Sequence, residues 1–168
     1  MNSAADPALG PAHALKCELA GEVLRLSGKL RLRVTGWSML PTVWPGDTLV
    51  VERVESGAVS AGDIVLFRRD RRLFAHRVVA MADGLNGARI TTQGDGMAQP
   101  DPPVAGAEVL GKVSLVVRNG RGLAPGASLG LSGRALAALV RRSDSAARIV
   151  VGIHGMRQPR QEETPCPN

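Results

Sequence analysis

The hydrophobic period of the chain changes at Lys29, and this change constrains the fold more than any other feature. Before it, Leu15, Leu19, Val23 and Leu26 recur at helical spacing among Lys16, Glu18, Glu22 and Arg25. That spacing predicts a short amphipathic helix over 12–27 whose apolar face packs on the domain. After it, Leu30, Leu32 and Val34 alternate with Lys29, Arg31 and Arg33, the period-two pattern of a half-buried strand. Further β-rich runs follow at 48–54, 63–68, 73–81, 89–92 and 109–117, punctuated by Gly, Pro, Asp and Asn. Two of them open alike: Pro45-Gly46-Asp47 precedes Thr48-Leu49-Val50-Val51, and Ala61-Gly62-Asp63 precedes Ile64-Val65-Leu66-Phe67. Each Gly-Asp reads as a tight turn feeding a buried strand. With 20 Gly and 11 Pro in the chain, the pattern predicts a compact, mainly β domain with short flanking helices and argues against a helical bundle.

The length of 168 residues fits one domain with tails. The expected division is a tail and short helix over 1–28, a β domain over 29–118, a C-terminal extension with a helix over 119–156, and a disordered tail over 157–168. In the extension, residues 132–142 read as a helix that Ser132 is expected to cap, with Leu136, Leu139 and Val140 on one face and Arg141-Arg142 suiting the C-terminal dipole. Aromatic residues make up 2% of the chain, with no Tyr. Nucleic-acid binding is therefore not expected, because base-stacking modules need aromatic platforms. The net charge of +6 favours acidic partners or anionic lipid. Cys17 and Cys166 lack metal or redox spacing, so no metal or cofactor is expected. No apolar run is long enough for a transmembrane helix, and the first residues lack the basic start of a secretory signal. The expected location is cytoplasmic or peripherally membrane-associated.

The segment richest in chemistry is Gly36-Trp37-Ser38-Met39-Leu40-Pro41-Thr42-Val43-Trp44-Pro45-Gly46-Asp47. A strand ends, Gly36 is expected to let the backbone turn tightly, and Ser38 follows at the rim. A serine so placed can present both its hydroxyl and its own N–H to a bound carbonyl. Taken alone, a serine in a Gly-Pro loop is most often a turn residue. The segment resembles the serine box of type I signal peptidases, Gly-x-Ser-Met-x-Pro-Thr followed by Pro-Gly-Asp. Downstream, Gly62-Asp63-Ile64-Val65 resembles the family's Gly-Asp-hydrophobic box, and His76-Arg77-Val78-Val79 its base-bearing strand. Gln93-Gly94-Asp95 with Asp101 resembles its Gly-Asp…Asp box, and Val109-Leu110-Gly111-Lys112-Val113 its closing strand. The order and spacing hold over about residues 30–117. LexA-like self-cleaving repressors share the fold and a related serine box.

The resemblance implies a nucleophile, a base and a carboxylate. Ser38 stands at the nucleophile position and His76 at the base position, where many family members carry lysine. Lys16, Lys29 and Lys112 all lie elsewhere. The His form resembles the endoplasmic-reticulum and archaeal branch, in which Ser and His work with an Asp. A histidine suits the task because its reference pKa of ~6.5 leaves it mostly neutral at pH 7, whereas lysine at ~10.4 needs burial. The carboxylate is assigned to Asp101, six residues after Asp95, with Asp95 as the competitor. The oxyanion hole would use the Ser38 N–H and, through its backbone, Gly36. His13 and His154 lack such context. Arg68-Arg69-Asp70-Arg71-Arg72 reads as a solvated hairpin tip.

These expectations add up to a serine endopeptidase cutting after small residues, Ala-x-Ala-like, in a peptide or precursor protein. A membrane surface or membrane protein is a further expected partner through the basic surface. Two other readings of the same fold stay open: a LexA-like self-cleaving regulator, for which Ala20-Gly21 is a suitable bond, and a non-catalytic module that binds peptides or partners.

Overall fold

The computed structural model describes residues 11–55, 58–84 and 87–126. The helix expected at 132–142, the tail at 157–168, Cys166 and His154 lie outside them. Helix α1 spans Pro11–Ser27 and ends at Gly28, whose φ of 71° starts the first strand. Eight strands then run through the described residues: β1 Lys29–Arg33, β2 Thr48–Glu52, β3 Ile64–Arg69, β4 Arg72–Ala82, β5 Arg89–Gln93, β6 Val104–Ala105, β7 Val109–Arg118 and β8 Arg121–Leu123. They form one sheet in the order β1-β2-β7-β3-β4-β5-β6, with β8 added on β7, and every pairing is antiparallel. The mainly β expectation is met.

The two Gly-Asp turns take the same form. Gly46 and Gly62 have φ of 95° and 94°, a left-handed conformation that costs glycine little. Each following aspartate accepts a hydrogen bond from an N–H three residues back: Trp44 N to Asp47 Oδ2 at 2.8 Å, and Ser60 N to Asp63 Oδ2 at 2.9 Å. The turns thus deliver β2 and β3 in fixed register.

β3 explains why the sheet has two cores. Its first four residues are all buried, because side chains alternate faces and both faces are covered. Ile64 and Leu66 join Leu24, Met39, Val43, Leu49, Val51, Val113 and Val116, while Val65 and Phe67 join Val59, Val78, Ile90 and Val104. Burying each such side chain contributes roughly 1.5–3 kcal/mol. Leu30 and Leu32 of β1 pack on the same cluster as Leu73 and Ala75 of β4, although three strands separate β1 from β4 in the sheet order. The sheet therefore curls until β1 and β4 face one another, and Ser38 and His76 line the groove between them.

The helix corrects one expectation. Leu15, Leu19, Val23 and Leu26 are exposed, Leu26 at 69%, while Cys17, Ala20 and Leu24 are buried. The face carrying Cys17, Ala20 and Leu24 is the one that packs on the domain. No helix among the described residues is long and apolar enough to cross a membrane.

Candidate active site

Ser38 lies in the loop between β1 and β2. Leu40 N and Val43 N donate to the carbonyls of Trp37 and Met39 at 3.1 and 3.0 Å, and the Leu40–Pro41 peptide is cis. Trp44 Nε1 donates to the Pro41 carbonyl at 2.8 Å, and buried Leu40 packs with Trp37 and Trp44. Local bonds thus fold the loop into a rigid tongue. A second segment fixes where the tongue sits: Gly96 N donates to the Ser38 carbonyl at 2.8 Å. Gly94 makes that approach feasible, since a Cβ there would lie 2.5 Å from the Ser38 carbonyl oxygen. Gly36 does not behave as expected. It is absent from the left-handed glycines, and a Cβ on it would meet nothing within 4 Å. Its contribution is confined to its backbone.

His76 lies on β4, 5% exposed. Its Nε2 is 2.9 Å from Ser38 Oγ, and its Nδ1 is 2.7 Å from Asp101 Oδ2. The three expected side chains therefore meet in one hydrogen-bonded line, although they come from the β1–β2 loop, from β4 and from the segment between β5 and β6. Phe67 and Phe74 flank the imidazole with ring centroids 6.0 and 5.9 Å away, which limits its orientations.

Asp101 is held at three points. Its N–H donates to the Thr92 carbonyl at 2.7 Å, and its Oδ2 accepts from Thr92 Oγ1 at 2.7 Å as well as meeting His76. Burial works against its charge, but the hydrogen bonds from His76 and Thr92, with the charges of His76 and Arg69, outweigh that effect. Its carboxyl is held below the usual carboxylate range.

Asp95, the competing carboxylate, points elsewhere. Arg77, the residue after His76, binds it with Nε to Oδ1 at 2.9 Å and Nη2 to Oδ2 at 2.8 Å. Thr42 Oγ1 donates to Asp95 Oδ2 as well. Arg77 Nη1 reaches the carbonyls of Gly62 and Gly126 at 2.7 and 2.6 Å. Residue spacing along the chain did not single out Thr92, Thr42, Phe67 or Phe74. The one available signal was the alternation of β5, which turns Ile90 and Thr92 inward together.

The line ends at a groove of about 260 Å³ whose floor is apolar. Leu32, Val34, Met39, Leu66, Leu73 and Ala75 line it, with Ser38 and His76 at one end and Arg33 and Arg72 on its rim. Both long walls carry unused backbone. The Arg72–His76 half of β4 pairs with β3 on one side, whereas pairing with β5 begins only at Arg77. No described residue accepts a hydrogen bond from the Ser38 N–H. Chemically, the arrangement can take a proton from the Ser38 hydroxyl, hold the resulting imidazolium against a fixed carboxylate, and offer a free backbone donor beside the hydroxyl.

No curated protein sequence matches the chain. The protein-family model described as Peptidase S24-like matches residues 14–113, a span that runs from α1 into β7 and holds the tongue, both aspartates and His76. The chain belongs to the Peptidase S24-like family.

Proposed function

We propose that the protein is a serine endopeptidase that cleaves an extended peptide or precursor protein after small residues of the Ala-x-Ala type. The observation that carries this reading is the unbroken line from Ser38 Oγ through both ring nitrogens of His76 to Asp101, at 2.9 and 2.7 Å. The substrate lies in the groove as an added strand, using the open edge of β4. The apolar floor receives small neutral side chains, while Arg33 and Arg72 also line the groove. Ser38 Oγ attacks the scissile carbonyl while His76 Nε2 takes its proton. Asp101 keeps the other ring nitrogen protonated and stabilises the imidazolium. The Ser38 N–H and a Gly36 backbone donor face the oxyanion. His76 then protonates the leaving amine, and water releases the acyl group by the reverse steps. The His base and the aspartate six residues after Gly94-Asp95 ally the mechanism with the Ser–His branch of the signal-peptidase-like enzymes.

Self-cleavage is the second reading, and one observation bears on it. The Ala20–Gly21 bond lies inside α1, with Ala20 6% exposed. A helical bond cannot lie in the groove as an extended strand, so cutting it requires α1 to unwind first. Cleavage of a separate chain needs no such step.

The test pairs the wild type with Ser38→Ala and His76→Ala on an Ala-x-Ala peptide library, with the intact protein followed by mass spectrometry. The expected result is peptide cleavage by the wild type alone, while its own chain stays whole. Unchanged turnover in Ser38→Ala ends the peptidase proposal. Conversion of the wild type to two fragments of itself supports the self-cleaving reading. Peptide binding without turnover supports the non-catalytic one.

A further inference from the structure

We propose that Arg69 is a positioning residue for the Ser38–His76–Asp101 line, clamping the Asp101 segment from the β3–β4 hairpin tip. This rests on the peptidase reading for its kinetic consequences but not for its structural ones. Arg69 belongs to the Arg-rich hairpin tip, where Asp70 and Arg71 form the turn with φ of 51° and 59°. Arg68, Arg71 and Arg72 are exposed, and Arg69 is half-buried. Its guanidinium carbon lies 5.6 Å from the centre of the Phe67 ring, a cation–π contact. Its Nη2 donates to the carbonyl oxygen of Pro102.

The need for this bond follows from the sequence of the segment. Residues 100–103 read Pro-Asp-Pro-Pro, and proline has no N–H. Asp101 is therefore the only residue of the four able to donate from the backbone, and it spends that donor on the Thr92 carbonyl. Asp101 belongs to neither β5 nor β6, so strand pairing does not hold it. A donor from outside the segment is the remaining way to fix its far side, and Arg69 supplies one at the next residue. The contacts then close on themselves: Arg69 on Pro102, Asp101 on His76, His76 against Phe67, and Phe67 beneath Arg69. The same cation also favours the ionised form of Asp101.

The experiment compares Arg69→Ala, Arg69→Lys and the exposed neighbour Arg68→Ala in the full chain. Two quantities are read: kcat and KM on a cleaved peptide, and the low-field proton resonance of the His76 Nδ1–H bonded to Asp101. The positioning role predicts a loss of about 10- to 100-fold in kcat for Arg69→Ala with KM nearly constant, because misplacement of a catalytic group by about 1 Å costs that much. It also predicts a broadened or shifted resonance. Arg69→Lys recovers part of both, and Arg68→Ala changes neither. A resonance identical in the wild type and Arg69→Ala overturns the proposal whatever the activity, as does a kcat within twofold of the wild type. Should Arg69→Ala not fold, Arg69→Lys carries the test, since it keeps the charge and loses the planar stacking: a resonance and kcat matching the wild type then overturn the role. Absence of Ser38-dependent cleavage in the wild type removes the peptidase reading, and the resonance still decides the role of Arg69.

Discussion

His76 and Arg77 are neighbours on β4, and each pairs with an aspartate from the stretch that follows β5. The two pairs nevertheless have opposite characters. Arg77 uses its donors on Asp95, Thr42, Gly62 and Gly126, and both partners of its ion pair are more than nine-tenths buried. Nothing in that group is left to react. His76 has two ring nitrogens, one on Asp101 and one on a hydroxyl that opens onto the groove. The alternation of a strand separates the two by one residue and turns them to opposite faces. The same pairing chemistry gives a structural rivet on one face and a hydrogen-bonded line to a hydroxyl on the other. The difference is whether the cation is permanent and saturated, or titratable and bonded to an alcohol.

The largest expected effect separates the two faces by activity. Ser38→Ala and His76→Ala should each lower kcat/KM by about 10⁴-fold or more, with the denaturant midpoint of Ser38→Ala close to the wild type and that of His76→Ala lowered by loss of its bond to Asp101. A similar loss in a folded Arg77 variant would break the distinction. By stability the order reverses. Arg77→Ala removes the guanidinium from the buried Asp95 carboxylate, and should cost about 3–5 kcal/mol in urea unfolding. Activity measured on the folded fraction should persist at reduced level.

Asp101→Asn sharpens the comparison next. It should lower kcat by about 10²–10⁴-fold, through loss of the carboxylate that fixes the imidazole tautomer. The sign of its pH dependence follows from the lowered folded-state pKa of Asp101. The carboxylate contributes stability above the ordinary carboxylate range, and that contribution is lost as pH falls through the folded value. The stability gap between wild type and Asp101→Asn should therefore be full at pH 7 and close in acid, as read from urea midpoints across pH. The smallest effect is expected for Thr92→Val. It removes one hydrogen bond to Asp101 and should cost about 1–2 kcal/mol, with a drop in kcat of less than about tenfold.

The strands were legible because alternation and Gly-Asp turns are local signals that the sheet obeys. β8 was not read from alternation, yet Asn119-Gly120 takes left-handed φ of 50° and 75°, the two-residue hairpin turn that such a pair favours. The face of α1 was misread for a physical reason. Its apolar residues are spread around much of the cylinder, and the sheet selected the small ones, Cys17 and Ala20 beside Leu24, over the larger stripe. The site was legible only through the ordered resemblance. No local pattern joins Ser38 to His76, or either to Asp101. The choice between Asp101 and Asp95 turns on Arg77, whose guanidinium takes Asp95 away from the imidazole. Arg69 is not legible in the sequence, because a run of arginines carries no local sign of which member is half-buried.

In the proposed mechanism everything depends on activation of the Ser38 hydroxyl by His76. It is tested most directly by treating the folded protein with a fluorophosphonate and measuring intact mass, then mapping the adduct by peptide. A single adduct on Ser38 is expected, absent from Ser38→Ala and strongly slowed in folded His76→Ala. An unmodified wild type, or equal labelling of Ser38→Ala, would contradict it.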